Sequence, residues 1–324
     1  MRRIRHGRGF RYVDAAGQAV DADTKRRIKE LVIPPAWQDV WICPWPNGHI
    51  QATGVDDAGR RQYLYHPQWR VRQDRLKHDH ALEFARRLPK IRSIVDDGLA
   101  GSGLTRERVL CTAVALLDIG VFRIGSRQYA QANGSYGLST LHRSHVRIRR
   151  DEAEFSYVAK GGQRQTTQVT DPRVVDVLRR LVNRKGGGQQ LLAFREDGRW
   201  QPVRSRHIND FLREAAGMEV TAKDFRTWHA TVFAAVALAV STHVDDTQTA
   251  RRRAVARAVA ETADFLGNTP AVCRASYIDD RLIDRYLHGE TIAAALPALG
   301  REAAPGTPAI HGDAERAVLR LLSE

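Results

Sequence analysis

Tyr277 closes the segment Leu266-Gly267-Asn268-Thr269-Pro270-Ala271-Val272-Cys273-Arg274-Ala275-Ser276-Tyr277, in which a helix-stop glycine is followed by a Thr-Pro helix start. Alone, a tyrosine in such a place is a packing residue. Its company changes the reading. Asn268 stands nine residues earlier, and Lys223-Asp224-Phe225-Arg226 lies upstream of an apolar helix. Two more basic residues stand out: Arg123, within Val121-Phe122-Arg123-Ile124-Gly125, and Lys160, beside the turn Gly161-Gly162. A tyrosine hydroxyl can act as a nucleophile. A guanidinium stays charged at any working pH and can donate two hydrogen bonds to a pair of anionic oxygens. A lysine ammonium, with a free pKa of ~10.4, can give up a proton. An asparagine amide can donate a hydrogen bond but carries no charge.

These residues need elements to hold them. From Phe10 to Tyr65 the chain reads as short antiparallel strands: Phe10–Val13, Val40–Cys43, Ile50–Thr53 and Arg61–Tyr65. Aromatic and β-branched residues alternate between Gly, Pro and Asp turns, and Asn47-Gly48 is a hairpin signal. One short helix, near Thr24–Leu31, interrupts them. From Trp69 the texture turns helical, which sets a boundary within residues 66–78 and predicts domains of 1–77 and 78–324. Thr105 caps a helix bearing Val109, Ala113, Leu116 and Leu117 and ended by Gly120. Val146 and Ile148 alternate with arginines, and Phe155–Lys160 returns through Thr166–Val169 as a hairpin with Lys160 at its turn. Asp171-Pro172 opens a further helix. Ser205–Gly217, Ala230–Val240, Thr249–Leu266 and Ile278–Leu287 read as helices, Ala303–Gly312 as a linker and Ala314–Leu322 as a terminal helix. The expected fold class is α+β: a β-rich antiparallel N-terminal domain and a mainly α-helical domain containing a small β-hairpin.

Lys and Arg number 51 against 37 Asp and Glu, a formal net charge of +14 over 324 residues. Such an excess favours a polyanionic partner, nucleic acid above all. Arg143, Arg147, Arg149 and Arg150, with His142 and His145, form one acid-free basic stretch; Arg204, Arg206 and His207 form another. Arg251-Arg252-Arg253 reads as surface. Cys43, Cys111 and Cys273 lie far apart with no histidine at ligand spacing, which argues against a disulfide framework or a zinc site. The longest apolar run, Ala234–Val240 with its flank from Ala230, falls well short of the ~20 residues that span a bilayer. The arginines at positions 2, 3, 5 and 8 precede no apolar stretch, so no signal peptide is expected.

As a set, Arg123, Lys160, Arg226, Asn268 and Tyr277 resemble the site of the type IB DNA topoisomerases, particularly the compact poxviral and bacterial ones, and more distantly that of the tyrosine recombinases. The resemblance runs from about Ile33 to Gly289. It implies that Tyr277 is the nucleophile and that Arg123 and Arg226 are the family's two arginines, the latter at a helix start. Lys160 is then the hairpin lysine, and Asn268 stands where histidine is usual. Attack on a phosphodiester builds negative charge on its non-bridging oxygens, which two guanidinium groups can stabilise without a metal. Lys160 would protonate the departing 5′-oxygen. Ile33-Pro34-Pro35-Ala36-Trp37 with Val40-Trp41-Ile42 looks like the opening of that family's DNA-clamping domain, and Gln62-Tyr63-Leu64-Tyr65 like its strand in the major groove. On a strand Tyr63 and Tyr65 share one face and Gln62 and Leu64 the other. Tyrosine hydroxyls can contact phosphate, and glutamine can pair with adenine.

The resemblance implies an enzyme whose two domains close as a clamp around duplex DNA. Transient nicking through a 3′-phosphotyrosyl bond would relax supercoils without ATP, metal or another cofactor. Duplex DNA is the expected partner of a cytoplasmic, nucleoid-associated monomer, bacterial in type, with no obligate protein partner and no membrane. Two rivals stand beside this reading. A tyrosine recombinase or integrase shares the chemistry, but the features at 33–42 and 62–65 count against it. A non-enzymatic basic DNA-binding protein explains the charge but not the ordered set of reactive residues.

Overall fold

The computed structural model describes residues 1–119, 121–241, 247–299, 308 and 310–323. Two compact units divide it, Met1–Lys77 and His78–Glu324.

In the first unit, strands β1 (Arg2–His6), β2 (Gly9–Val13), β3 (Gln38–Ile42), β4 (Ile50–Val55) and β5 (Arg61–Tyr65) form an antiparallel sheet in the order β2-β1-β3-β4-β5. Helix α1 (Ala22–Glu30) starts at Asp21, whose carboxylate accepts the Thr24 N–H at 2.8 Å. Ile28 of this helix meets Val40, Ile42 and Ala52 of the sheet in a small core. The Asn47-Gly48 turn joins β3 to β4. A Cβ at Gly48 would come within 2.5 Å of the Cys43 sulfur, and buried Gln51 donates its amide to the carbonyls of Pro46 and Gly48, closing the loop. Strand β1, rich in arginine, carries no apolar alternation and was not expected. Its Arg3 reaches across the ring of Phe10 at 4.2 Å and donates to the Pro34 carbonyl at 3.0 Å.

Helix α2 (Pro67–Ala100) runs on from β5, with Pro89 inside it. In the second unit, α3 (Arg106–Asp118) is buried along nearly its whole length and is capped by Thr105, as its sequence predicts. Expected Gly120 at its end lies outside the described residues, as does most of the 303–312 linker. Helices α5 (Pro172–Asn183), α6 (Ser205–Ala216) and α7 (Ala222–Val240) pack on α3. Before them come the short helix α4 (Arg127–Asn133) and a three-stranded sheet of β6 (Val146–Arg149), β7 (Glu152–Val158) and β8 (Arg164–Val169), in that order. A small hairpin, β9 (Ala193–Glu196) with β10 (Arg199–Pro202), turns at Asp197-Gly198. Helices α8 (Gln248–Leu266), α9 (Pro270–Ser276), α10 (Asp280–Leu287) and α11 (Asp313–Ser323) complete the unit. The α+β architecture is thus as the sequence implies. No described helix is long and apolar enough to cross a membrane.

Candidate active site

Arg123 lies in an irregular segment between α3 and α4. Phe122, fully buried, anchors this segment edge-on against Phe155 of β7, with ring centroids 5.0 Å apart. Gly125 and Gly137 let two backbone runs touch. A Cβ on Gly125, where φ is +75°, would lie 2.8 Å from the Gly137 Cα, so no other residue fits. Leu138 then donates to the Arg123 carbonyl at 2.7 Å, and Ser139 to that of Ile124 at 2.8 Å. With its backbone fixed, Arg123 donates through Nη2 to the Gly267 carbonyl at 3.0 Å and to Asn268 Oδ1 at 2.5 Å.

Arg226 lies deeper in its helix than the sequence suggests. The apolar run begins at Ala230, but Thr221 and Asp224 form a capping box that starts α7 at Ala222. Arg226 is therefore its fifth residue and is only 3% exposed. Its Nη1 donates to the Val121 carbonyl at 3.1 Å and its Nη2 to that of Leu266 at 2.7 Å. Burial, reinforced by the charge of Arg123, lowers its pKa to about 10, against the partial support of Tyr277. It stays cationic at neutral pH.

Tyr277 follows α9, which Thr269 caps and Pro270 opens. Thr231 of α7 donates to its carbonyl at 3.3 Å, and the Arg226 guanidinium carbon lies 5.5 Å from the centre of its ring. Burial pushes the Tyr277 phenol up. Arg226 and Arg123, a hydrogen bond from Arg226, and Lys223 together outweigh it and hold the pKa below the ordinary 10. Tyr157 on β7 provides the contrast: burial drives its phenol up to about 12 even though the same two arginines pull the other way. The electrostatics single out Tyr277 as the more readily ionised phenol.

Lys160 occupies the β7–β8 turn, where Gly161 and Gly162 take φ of +87° and +77° and leave its side chain exposed. Arg123, Lys160, Arg226 and Tyr277 all line one cavity of about 340 Å³. Lys223 and Ser135 line it too. The Ser135 hydroxyl is buried without a hydrogen-bond partner among the described residues. Lys223, which the sequence alone does not single out as a site residue, lies one turn before Arg226 on the same helix, a spacing that becomes visible only once the helix is started at Ala222. Asn268 does not line the cavity. It touches the site through Arg123, and its Nδ2 is buried without a partner among the described residues.

The residues expected to contact DNA belong to both units. On β5 the tyrosines project outward, Tyr63 45% and Tyr65 47% exposed, with ring centroids 6.1 Å apart. Gln62 takes the opposite face beside Leu64 and donates to Asp56 Oδ2 at 2.8 Å, so it does not share the tyrosines' surface. Arg147, Arg204 and Arg206 are exposed, whereas Arg143 is half-buried and donates to the Val182 carbonyl at 2.8 Å. None of these four lines the cavity.

Two family models match the chain. Residues 66–288 match the catalytic core of eukaryotic DNA topoisomerase I, and residues 9–56 match the N-terminal domain of bacterial DNA topoisomerase IB. The chain belongs to the type IB DNA topoisomerases. It is similar to DNA topoisomerase 1B of Acanthamoeba polyphaga mimivirus, 29% identical over 86% of this chain and 84% of the viral protein. It is also similar to DNA topoisomerase 1B of vaccinia virus (strain Copenhagen), 20% identical over 79% and 80% of the two chains. The enzyme is thus a DNA-binding isomerase that relaxes supercoiled DNA. Of the two rivals, the recombinase and the non-enzymatic DNA binder, neither accounts for matches to topoisomerase models in both units.

Proposed function

We propose that Tyr277 is the nucleophile of this topoisomerase and that Arg123, Arg226, Lys160 and Asn268 divide the remaining work. The observation that carries this reading is the convergence of Arg123, Lys160, Arg226 and Tyr277, from four separate elements, on one cavity. Tyr277 Oη attacks phosphorus and the P–O5′ bond breaks, leaving a 3′-phosphotyrosyl link and a free 5′-hydroxyl. The phenolic proton passes to water, and Lys160 gives a proton to the departing O5′. Arg123 and Arg226 face the charge that grows on the non-bridging oxygens, and Asn268 holds Arg123 while offering its own amide N–H. The phosphotyrosyl link conserves the phosphodiester energy, so attack by the 5′-hydroxyl restores the strand without ATP.

Tyr63 and Tyr65 on the first unit, and Arg143, Arg147, Arg204 and Arg206 on the second, serve as backbone contacts on duplex DNA, consistent with the net charge of +14. The enzyme acts as a monomer on cytoplasmic DNA. The test is relaxation of supercoiled plasmid in EDTA without nucleotide. Wild type should relax it and leave a denaturant-resistant protein–DNA adduct. Tyr277→Phe should bind DNA yet do neither. Relaxation by the Phe variant would reject Tyr277 as nucleophile.

A further inference from the structure

Helix α11 lies beyond the segment that matches the catalytic core, yet it is wired into α7, which carries Arg226, and into the end of α3, which leads to Arg123. Arg92 of α2 forks between two carboxylates. Nε and Nη2 donate to Asp118 at 2.7 and 3.0 Å, and Nη1 and Nη2 donate to Glu315 of α11 at 2.6 and 2.9 Å. Glu315, 5% exposed, also accepts the Trp228 indole N–H at 2.9 Å. His229 Nε2 lies 3.1 Å from Asp118 Oδ1, and His311 stacks on His229 with ring centroids 5.2 Å apart. The donor atoms of Asp118, His229 and His311 lie within 4.8 Å of one another, a spacing suited to a metal ion. Arg92, bound to both oxygens of Asp118, already supplies the cation there.

The positions along the chain matter. Trp228 is two residues after Arg226 on α7. Asp118 ends α3, three residues before the Val121 carbonyl that receives Arg226 and five before Arg123 itself. One buried ionic network therefore grips both arginine carriers close to the arginines. We propose that Glu315, acting through Trp228 and through the Arg92–Asp118 pair, is a positioning residue that sets where Arg226 and Arg123 stand in the active site. This rests on the roles assigned above to those arginines. Removing Glu315 leaves Arg92 one carboxylate short and the Trp228 N–H unpaired in a buried place, which favours a shift of both carriers.

The experiment is single-turnover cleavage against pH, with noncovalent duplex affinity measured alongside, for wild type, Glu315→Ala, Glu315→Gln and Arg226→Ala. Arg226, Arg123, Lys223 and Lys160 are the charged groups around the Tyr277 cavity, and displaced arginines hold its phenol down less. Glu315→Ala should cleave on the order of 10–100-fold more slowly, the loss typical of sub-ångström to ångström misplacement. Its pH midpoint should move up while duplex affinity stays within about twofold. Glu315→Gln, which keeps an acceptor for Trp228, should recover part of both effects. A folded Glu315→Ala enzyme with wild-type rate and midpoint would overturn the proposal. So would a loss of rate that only tracks the folded fraction with the midpoint unmoved. Should Glu315→Ala not fold, Trp228→Phe deletes the same indole bond and is judged by the same two readouts. If Arg226→Ala itself leaves the midpoint in place, the arginine roles fail and the proposal with them; if Arg226→Ala moves it and the Glu315 variants do not, only the positioning role fails.

Discussion

Asn268 accepts a 2.5 Å hydrogen bond from Arg123 through Oδ1, while its Nδ2 is buried with no partner among the described residues. The buried donor carries a desolvation cost that a phosphate oxygen would relieve. In the mechanism proposed above, this neutral amide orients the guanidinium and offers one further N–H. Asn268→Ala removes both. Single-turnover cleavage should fall on the order of 10²–10³-fold, as when one oxyanion donor is lost, with duplex affinity little changed. Wild-type cleavage by this variant would leave Asn268 with no part in the reaction.

Tyr63 and Tyr65 offer a test of the first unit. Both are about half exposed, and their rings lie side by side on the outer face of β5. Replacing both with Phe keeps the rings and removes the hydroxyls. Duplex binding or cleavage-site choice should weaken by about 1–3 kcal/mol if those hydroxyls contact phosphate. Binding and site choice unchanged, with a lower melting temperature, would make them sheet-packing residues instead.

Arg123, Lys160, Arg226 and Tyr277, which the structure brings to one cavity, stand out in the sequence because residue type limits what chemistry a side chain can do and because their order resembles that of a known family. Tyr277, Arg226 and Lys160 also carry local cues: a Thr-Pro start, a helix and a glycine turn. What joins them was not legible. Arg123 meets Asn268 across 145 residues, and Arg226 finds its acceptors at Val121 and Leu266, none of which leaves a periodic trace. Arginine also concealed structure. In β1 the alternation of apolar residues that marks a strand is overwritten by arginines, one of which is paired with backbone carbonyls. For Gln62 the family resemblance suggests a groove contact, and strand geometry gives only the face. That Asp56 claims its amide is a tertiary fact. The terminal helix was visible by its amphipathic period, but the partners of Glu315 on α2 and α7 were not.

The network around His311 predicts acid sensitivity. Burial lowers the His311 pKa from 6.5 to about 4. Asp118 and Glu315 pull it back up, while Arg92 and His229 reinforce the fall. In the unfolded chain this histidine takes up a proton near 6.5, whereas in the folded chain it resists until about 4. Stability is therefore full above 6.5 and drains as the pH falls from 6.5 to about 4, by at most about 3 kcal/mol. The Asp118 carboxylate acts in the same direction at lower pH. Burial pushes it up, but Arg92 and the neighbouring histidines hold it well below its usual range. Urea unfolding of wild type and His311→Gln at pH 7.5 and 4.5 measures the histidine's share. The pH-dependent loss should be smaller in the variant; equal losses in the two proteins would remove His311 from the account.

Lys160 permits a test sharper than loss of activity. An alkoxide leaves poorly unless it is protonated as it departs, whereas a thiolate, with a thiol pKa of ~8.5, can leave without help. Lys160→Ala should cleave ordinary DNA on the order of 10²–10⁴-fold more slowly than wild type. When sulfur replaces the scissile 5′-bridging oxygen, the same variant should cleave at nearly the wild-type rate. Arg123→Ala and Arg226→Ala should gain far less, because their loss exposes charge on the non-bridging oxygens, which the sulfur does not touch. The exposed position of Lys160 on its turn makes the alanine change mild for folding, so the comparison reads chemistry. The measurement is single-turnover cleavage of both substrates by all three variants. If sulfur rescues the arginine variants as fully as Lys160→Ala, or leaves Lys160→Ala slow, then Lys160 is not the acid and the division between proton donor and charge clamp fails.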